Sequence, residues 1–176
     1  MAVRRRARLV HSPREVGHAI TRMVQEISAT LAGTNPVLLA VMHGGVFTAV
    51  EVSARLEFPC EFDYVHVTRY ANGLTGGALD WRVRPSAALA GRTVLIVDDI
   101  LDRGVTLTAL QEELARIGVA RQYTAALAVK RLAEPIDRPP IDFKCFAVED
   151  AYVFGCGMDY KGYWRGLRGL YAIESP

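Results

Sequence analysis

The chain is poor in several features that would have settled its class at once. It has only three cysteines, Cys60, Cys145 and Cys156, and no C-x-x-C pair. An odd count without ligand spacing excludes a disulfide framework or a zinc knuckle, and predicts free, buried thiols in a reducing compartment. No apolar run approaches the roughly 18 residues that cross a bilayer, so no membrane partner is expected. Charge of one sign is also scarce: 21 Lys and Arg face 19 Asp and Glu, a net of +2. No basic stripe lies along any one element, so no nucleic-acid partner is expected. The exception is Arg4, Arg5, Arg6 and Arg8. No apolar stretch follows them as in a secretory leader, so residues 1–11 are expected to form a flexible basic tail and the location to be cytoplasmic. The G-x-x-x-x-G-K-[ST] pattern is missing, which sets aside a P-loop nucleotide hydrolase.

The residues that are present suit one globular domain spanning 1–176. Hydrophobic residues make up 51% of the 176 and charged residues 23%, enough for a sizeable core. Ser12-Pro13-Arg14-Glu15 has the form of a capping box with proline at the first helical position. Val16, Ile20, Met23, Val24, Ile27 and Leu31 then recur at helical spacing, and Gly33 and Pro36 stop the helix. Val37–Met42, Phe62–Val67, Thr93–Val97 and Tyr123–Val129 read as strands, the first an unbroken apolar run. Phe47–Leu56 and Thr106–Ile117 read as helices, with Gly118 suited to the end of the latter. The glycine-rich stretch 71–80 lacks periodicity and reads as a mobile loop. Strands alternating with helices predict an α/β fold: a mostly parallel twisted sheet flanked by helices. In such sheets ligands sit at the carboxyl ends of strands, here after Met42, Val97 and Val129.

The turn after Val97 carries the most chemistry. Asp98 and Asp99 end a buried strand, and Asp102-Arg103-Gly104-Val105-Thr106 leads into a helix. Backbone N–H groups at a helix N-terminus, a flexible glycine and two threonine hydroxyls (Thr106 and Thr108) form a cradle for a phosphate. Paired carboxylates would repel a bare phosphate. Either they cap the helix, or the ligand also carries hydroxyls or a divalent metal such as magnesium, which prefers hard oxygen ligands.

The stretch VLIVDDILDRGVTL, Val94–Leu107, resembles the signature of type I phosphoribosyltransferases. Similarity to the hypoxanthine-guanine members of that family runs from about Val37 to Ile173. The resemblance implies 5-phosphoribosyl 1-diphosphate and a 6-oxopurine as substrates, Mg2+ as cofactor, and a homodimer or homotetramer. It implies a small hood built from the chain ends. Asp98 and Asp99 would hold the ribose hydroxyls and metal-bound waters, and Asp102, Arg103, Gly104, Val105 and Thr106 would wrap the 5′-phosphate. Arg103 stands where many relatives have a small residue; it either adds a phosphate contact or points to solvent.

Four further segments extend the resemblance. Val41-Met42-His43-Gly44-Gly45 is similar to the pyrophosphate loop, which often contains a non-proline cis peptide. His43 replaces a common lysine, so His43 and Gly44 would meet pyrophosphate mainly through backbone N–H groups. Arg69 and Tyr70 begin a segment similar to the family's closing flap, expected over residues 69–82. Such a flap excludes water from the reacting centre. Lys130 matches the lysine that reads the oxygen on purine C6, which selects against adenine. In Asp150–Leu167, Tyr152 would stack on the purine, the Val153 backbone would pair with its edge, Asp159 would serve the purine site and a second metal, and Arg165 would clamp pyrophosphate. Tyr160, Tyr163 and Trp164 are expected in the core. Asp102 would also be the general base that takes the purine N7 proton. Two other readings stay open: a xanthine-preferring enzyme, and a non-catalytic nucleotide-binding regulator of the same fold.

Overall fold

The computed structural model describes residues 6–69, 79–134 and 136–173. Two sheets organise the fold. The larger has six strands in the order β4-β3-β2-β5-β6-β7: β2 (Val37–Met42), β3 (Glu61–Arg69), β4 (Leu79–Val83), β5 (Thr93–Leu101), β6 (Arg121–Arg131) and β7 (Phe143–Glu149). All its neighbours run parallel except β4, which pairs antiparallel with β3. The smaller sheet, β1-β9-β8, is antiparallel and joins β1 (Arg8–His11) to β9 (Leu170–Ile173) and β8 (Tyr152–Phe154). The expected α/β sheet and terminal hood are both present.

Helix α1 (Pro13–Leu31) begins as its sequence requires. Ser12 accepts from the Glu15 N–H, and the Glu15 carboxylate accepts from the Ser12 N–H at 2.7 Å. Its apolar stripe packs with α2 (Gly45–Ser53) on one face of the large sheet, against Leu38, Ala40, Leu95, Val97, Ala125 and Leu127. Helix α3 (Val105–Ile117) covers the other face, where Leu107, Leu110 and Leu114 meet Val37, Leu39, Val94 and Ile96. Strands β2 and β5 thus bury alternate residues on opposite faces, which is why they read as unbroken apolar runs. Among the described residues, no helix is long and apolar enough to cross a membrane.

Three expectations need correction. Residues 8–11 of the supposed tail form β1, with Arg8 opposite Ala172 and Leu9 opposite Tyr171. The His11 ring also stacks on Phe146 with centroids 3.7 Å apart. A partner strand this distant in sequence satisfies backbone groups that the local pattern leaves unassigned. Residues 79–82, the far end of the expected flap, lie in β4; residues 70–78, including Tyr70, fall outside the described residues. Strand β5 does not end at the paired acids. It continues through Leu101, opposite Val129 of β6, so Asp98 and Asp99 lie within it.

Candidate active site

The strand order reverses between β2 and β5, and the carboxyl ends of these neighbours open into a crevice. A cavity of about 370 Å³ occupies it, lined by His43, Gly44, Asp98, Asp99, Asp102, Gly104, Thr106 and Arg165 among others. A second cavity of about 180 Å³ lies beside it, lined by Asp99, Ile100, Asp102, Lys130, Tyr152, Val153, Met158 and Asp159. The two share Asp99, Ile100 and Asp102. A ligand spanning both would place its junction at these three residues.

Each wall follows from local structure. The β2–α2 turn contains a cis Met42–His43 peptide, and the His43 ring rests edge-on against His66 with centroids 4.4 Å apart. An added Cβ on Gly44 would lie 1.7 Å from Asp99 Oδ2, so a larger residue there displaces that carboxylate. Helix α3 starts at Gly104, whose φ of 77° lies in the left-handed region and whose position provides no side-chain cap. The helix's first N–H groups are therefore open to an anion. The capping role is excluded for the acids: Asp98 Oδ1 accepts from the Asp99 N–H at 2.8 Å, and Asp99 Oδ1 from the Ile100 N–H at 2.7 Å.

Burial pushes both carboxyls above their usual range. Asp98 is raised furthest, by burial and then by the charge of Asp99; Asp99 is raised by burial, with hydrogen bonds and Arg165 opposing. No group of three or more His, Cys, Asp or Glu side chains converges into a complete metal cage among the described residues. The all-oxygen donor set at Asp98 and Asp99 still fits magnesium, which takes one or two carboxylates and fills its shell with water and substrate phosphates.

The second cavity is framed by a charge network. Lys130 Nζ donates to Asp150 Oδ1 at 3.1 Å and lies 3.8 Å from Asp102 Oδ2. Across from it, the Tyr152 hydroxyl donates to the Asp159 carbonyl at 3.1 Å, leaving the ring 45% exposed. Both Asp159 carboxylate oxygens are engaged, one by Arg165 Nη2 and the other by the Gly162 N–H, each at 2.6 Å. Arg165 Nη1 also donates to the Gly157 carbonyl at 2.7 Å. Gly157 in turn packs so closely that a Cβ there would meet the Gly44 carbonyl at 2.0 Å. The segment that carries Asp159 and Arg165 is thus seated directly on the β2–α2 turn.

Some expected residues stand apart. Arg103 and Val105 are exposed on the rim and line neither cavity. Arg69 ends β3, but nothing is described of its side chain. Tyr163, expected in the core, is 72% exposed. Cys156 is buried, but Cys60 and Cys145 are only partly so; burial raises the Cys145 and Cys156 thiols to about 12. Two residues were given no role by the sequence reading. Asp150, the first residue of the segment Asp150–Leu167, pairs with Lys130; Arg138, in an irregular loop, holds three backbone carbonyls around the site.

A mostly parallel sheet with a crevice at its switch point, an acid pair and an uncapped helix end defines an α/β protein with an anion-binding cleft. The phosphoribosyl transferase domain model matches residues 10–161, and the chain belongs to that family. It is similar to the hypoxanthine-guanine-xanthine phosphoribosyltransferase of Tritrichomonas foetus, at 28% identity over 91% of this chain and 87% of the relative. The hypoxanthine-guanine phosphoribosyltransferase of Streptococcus pneumoniae is 27% identical over 87% of this chain and 85% of its own. A solved hypoxanthine-guanine-xanthine phosphoribosyltransferase superposes with a TM-score of 0.80 at 26% identity, covering 96% of this chain and 97% of that one.

Proposed function

We propose that this enzyme salvages 6-oxopurines, moving the 5-phosphoribosyl group from 5-phosphoribosyl 1-diphosphate to N9 of hypoxanthine or guanine. The products are IMP or GMP and diphosphate. The observation that carries this reading is the pair of adjoining cavities that share Asp99, Ile100 and Asp102. One joins acids suited to hydroxyls or a metal with an open helix N-terminus and an arginine suited to phosphate; the other carries a lysine and an exposed aromatic ring for a base.

In this reading the loop 102–106 takes the 5′-phosphate through the first N–H groups of α3 and Thr106. Asp98 and Asp99 receive the ribose hydroxyls, and His43, Gly44 and Arg165 face the pyrophosphate. Lys130 Nζ donates to the oxygen on purine C6, Tyr152 stacks on the ring, and the Val153 backbone meets its edge. Asp102 accepts the N7 proton as N9 bonds to C1 and the C1–O bond to diphosphate breaks. Asp98, Asp99 and Asp159 would hold Mg2+, which when bound neutralises the leaving diphosphate. A metal at Asp159 shares that carboxylate with Arg165.

Assembly as a homodimer or homotetramer belongs to this reading. Val50, Phe62 and Tyr64 leave large apolar side chains 43–50% exposed, and sedimentation of the purified chain measures the outcome. The three free thiols fit a cytoplasmic setting. The decisive experiment is diphosphate release from 5-phosphoribosyl 1-diphosphate and magnesium with hypoxanthine, guanine, xanthine or adenine. Turnover with hypoxanthine or guanine, and none with adenine, is expected. Xanthine as the best substrate replaces the acceptor assignment, and no turnover with any 6-oxopurine sinks the function.

A further inference from the structure

The β6–β7 connection, residues 132–142, holds a side chain that the proposed chemistry does not use. Arg138 Nη1 donates to the Asp102 carbonyl at 2.5 Å and lies 3.4 Å from the Leu101 carbonyl. Its Nη2 donates to the Lys130 carbonyl at 2.7 Å. One guanidinium thus binds the loop that begins at Asp102 and the strand end that presents Lys130. Gly104 completes the fit. A Cβ there would come within 2.9 Å of both Arg138 Cβ and Pro139 Cδ, so the loop lies directly against this connection.

This arrangement has a chemical rationale. The carbonyls of residues 101, 102 and 130 sit beside a cavity lined with carboxylates, where an unpaired acceptor is costly. A planar guanidinium offers several donors in a rigid fork, which a lysine ammonium cannot reproduce across two chain segments. The Asp102 and Lys130 side chains are 3.8 Å apart; Asp102 lines both cavities and Lys130 the second. Their backbones are joined by the β5–β6 ladder as far as Leu101 and Val129, and just beyond it by Arg138.

We propose that Arg138 is a positioning residue that fixes the Asp102 loop to the Lys130 strand end, so that donor and base subsites form as one unit. The proposal rests on the assigned transfer reaction for its kinetic consequence but not for its structural one. Two measurements on Arg138→Ala and Arg138→Lys therefore test it. In ligand-free protein, hydrogen exchange should quicken together over residues 101–106 and 130–131 in both variants, with α1 and β2 unchanged. In steady-state turnover, KM for the phosphoribosyl donor and KM for the purine should both rise, by about tenfold or more, with ethylguanidinium partly restoring Arg138→Ala. Exchange that quickens in only one segment, or in neither, overturns the coupling. So does a variant that loses activity only in proportion to its folded fraction, with both KM values unchanged. If the wild-type chain turns over no purine, the functional assignment fails and the exchange result alone decides the role of Arg138.

Discussion

Replacing Gly44 by alanine separates a steric demand from a backbone one. Gly44 has φ −64° and ψ −44°, a conformation alanine adopts freely. The obstacle is the Asp99 side chain: the new Cβ would lie 1.7 Å from Oδ2 and 2.3 Å from Cγ. Asp99 would have to swing away and release the Ile100 N–H held at 2.7 Å. An unmet buried donor costs about 1–3 kcal/mol and a displaced rotamer about 0.5–1.5 kcal/mol. The lower entropy of an unfolded chain with alanine returns about 0.4–1 kcal/mol. The net loss is about 0.5–4 kcal/mol, or roughly 1–16 °C of melting temperature for a domain of this size. Activity should suffer more than stability, because Asp99 lies at the boundary of both cavities. A displacement of about 1 Å at a reacting centre costs on the order of 100-fold in kcat/KM. Thermal melts and diphosphate release on Gly44→Ala, Asp99→Ala and the double variant measure the coupling. In the Asp99→Ala background, the Gly44→Ala step should cost almost nothing in stability. An equal penalty in both backgrounds would refute the clash.

Other outcomes follow from the same geometry. Asp98→Asn should abolish turnover yet flatten the pH dependence of the melting temperature of the ligand-free protein. The folded state holds the Asp98 proton more tightly than the unfolded chain, because burial and Asp99 raise its pKa. Stability is therefore full below the ordinary carboxylate value and is lost as pH rises toward the raised folded value; asparagine removes that loss, and a melt at neutral pH no higher than wild type counts against it. Lys130→Gln should raise KM for hypoxanthine about 10–100-fold with the donor KM unchanged, as read by initial rates with each substrate varied in turn at saturating levels of the other. Asp102→Asn should lower kcat by about 10²–10⁴ with an unshifted melt; full turnover removes the base role. Thr124→Val is the structural counterpart: Thr124 is 1% exposed and its hydroxyl donates to Asp142 Oδ2 at 2.8 Å. Its loss should cost about 1–3 kcal/mol in denaturant melts and leave both KM values intact.

How much was legible in the sequence depended on how local the determinant was. The capping box of α1 and the run Val37–Met42 emerged with their observed limits because neighbouring residues decide them. The continuation of β5 through Asp98 and Asp99 did not, since paired acids look like a strand end until the pairing with β6 is known. Strands β1, β8 and β9 are three or four residues each and acquire meaning only from one another. At the site, adjacent acids and a helix-opening glycine were visible as a motif. Arg138 was not: it acts through backbone carbonyls of other segments, lies in a loop without period, and leaves no spacing to notice.

The small sheet has a bearing on the order in which the molecule can be completed. Strands β2 to β6 and the helices between them lie within residues 37–131 and supply most of the first cavity, apart from Arg165. The second cavity also needs Tyr152, Val153 and Asp159; β8 carries the first two and pairs with β9, which is held in turn by β1. During synthesis β1 must wait, unpaired, until residues 170–173 leave the ribosome. The growing chain can therefore assemble most of the first cavity well before the second has its walls.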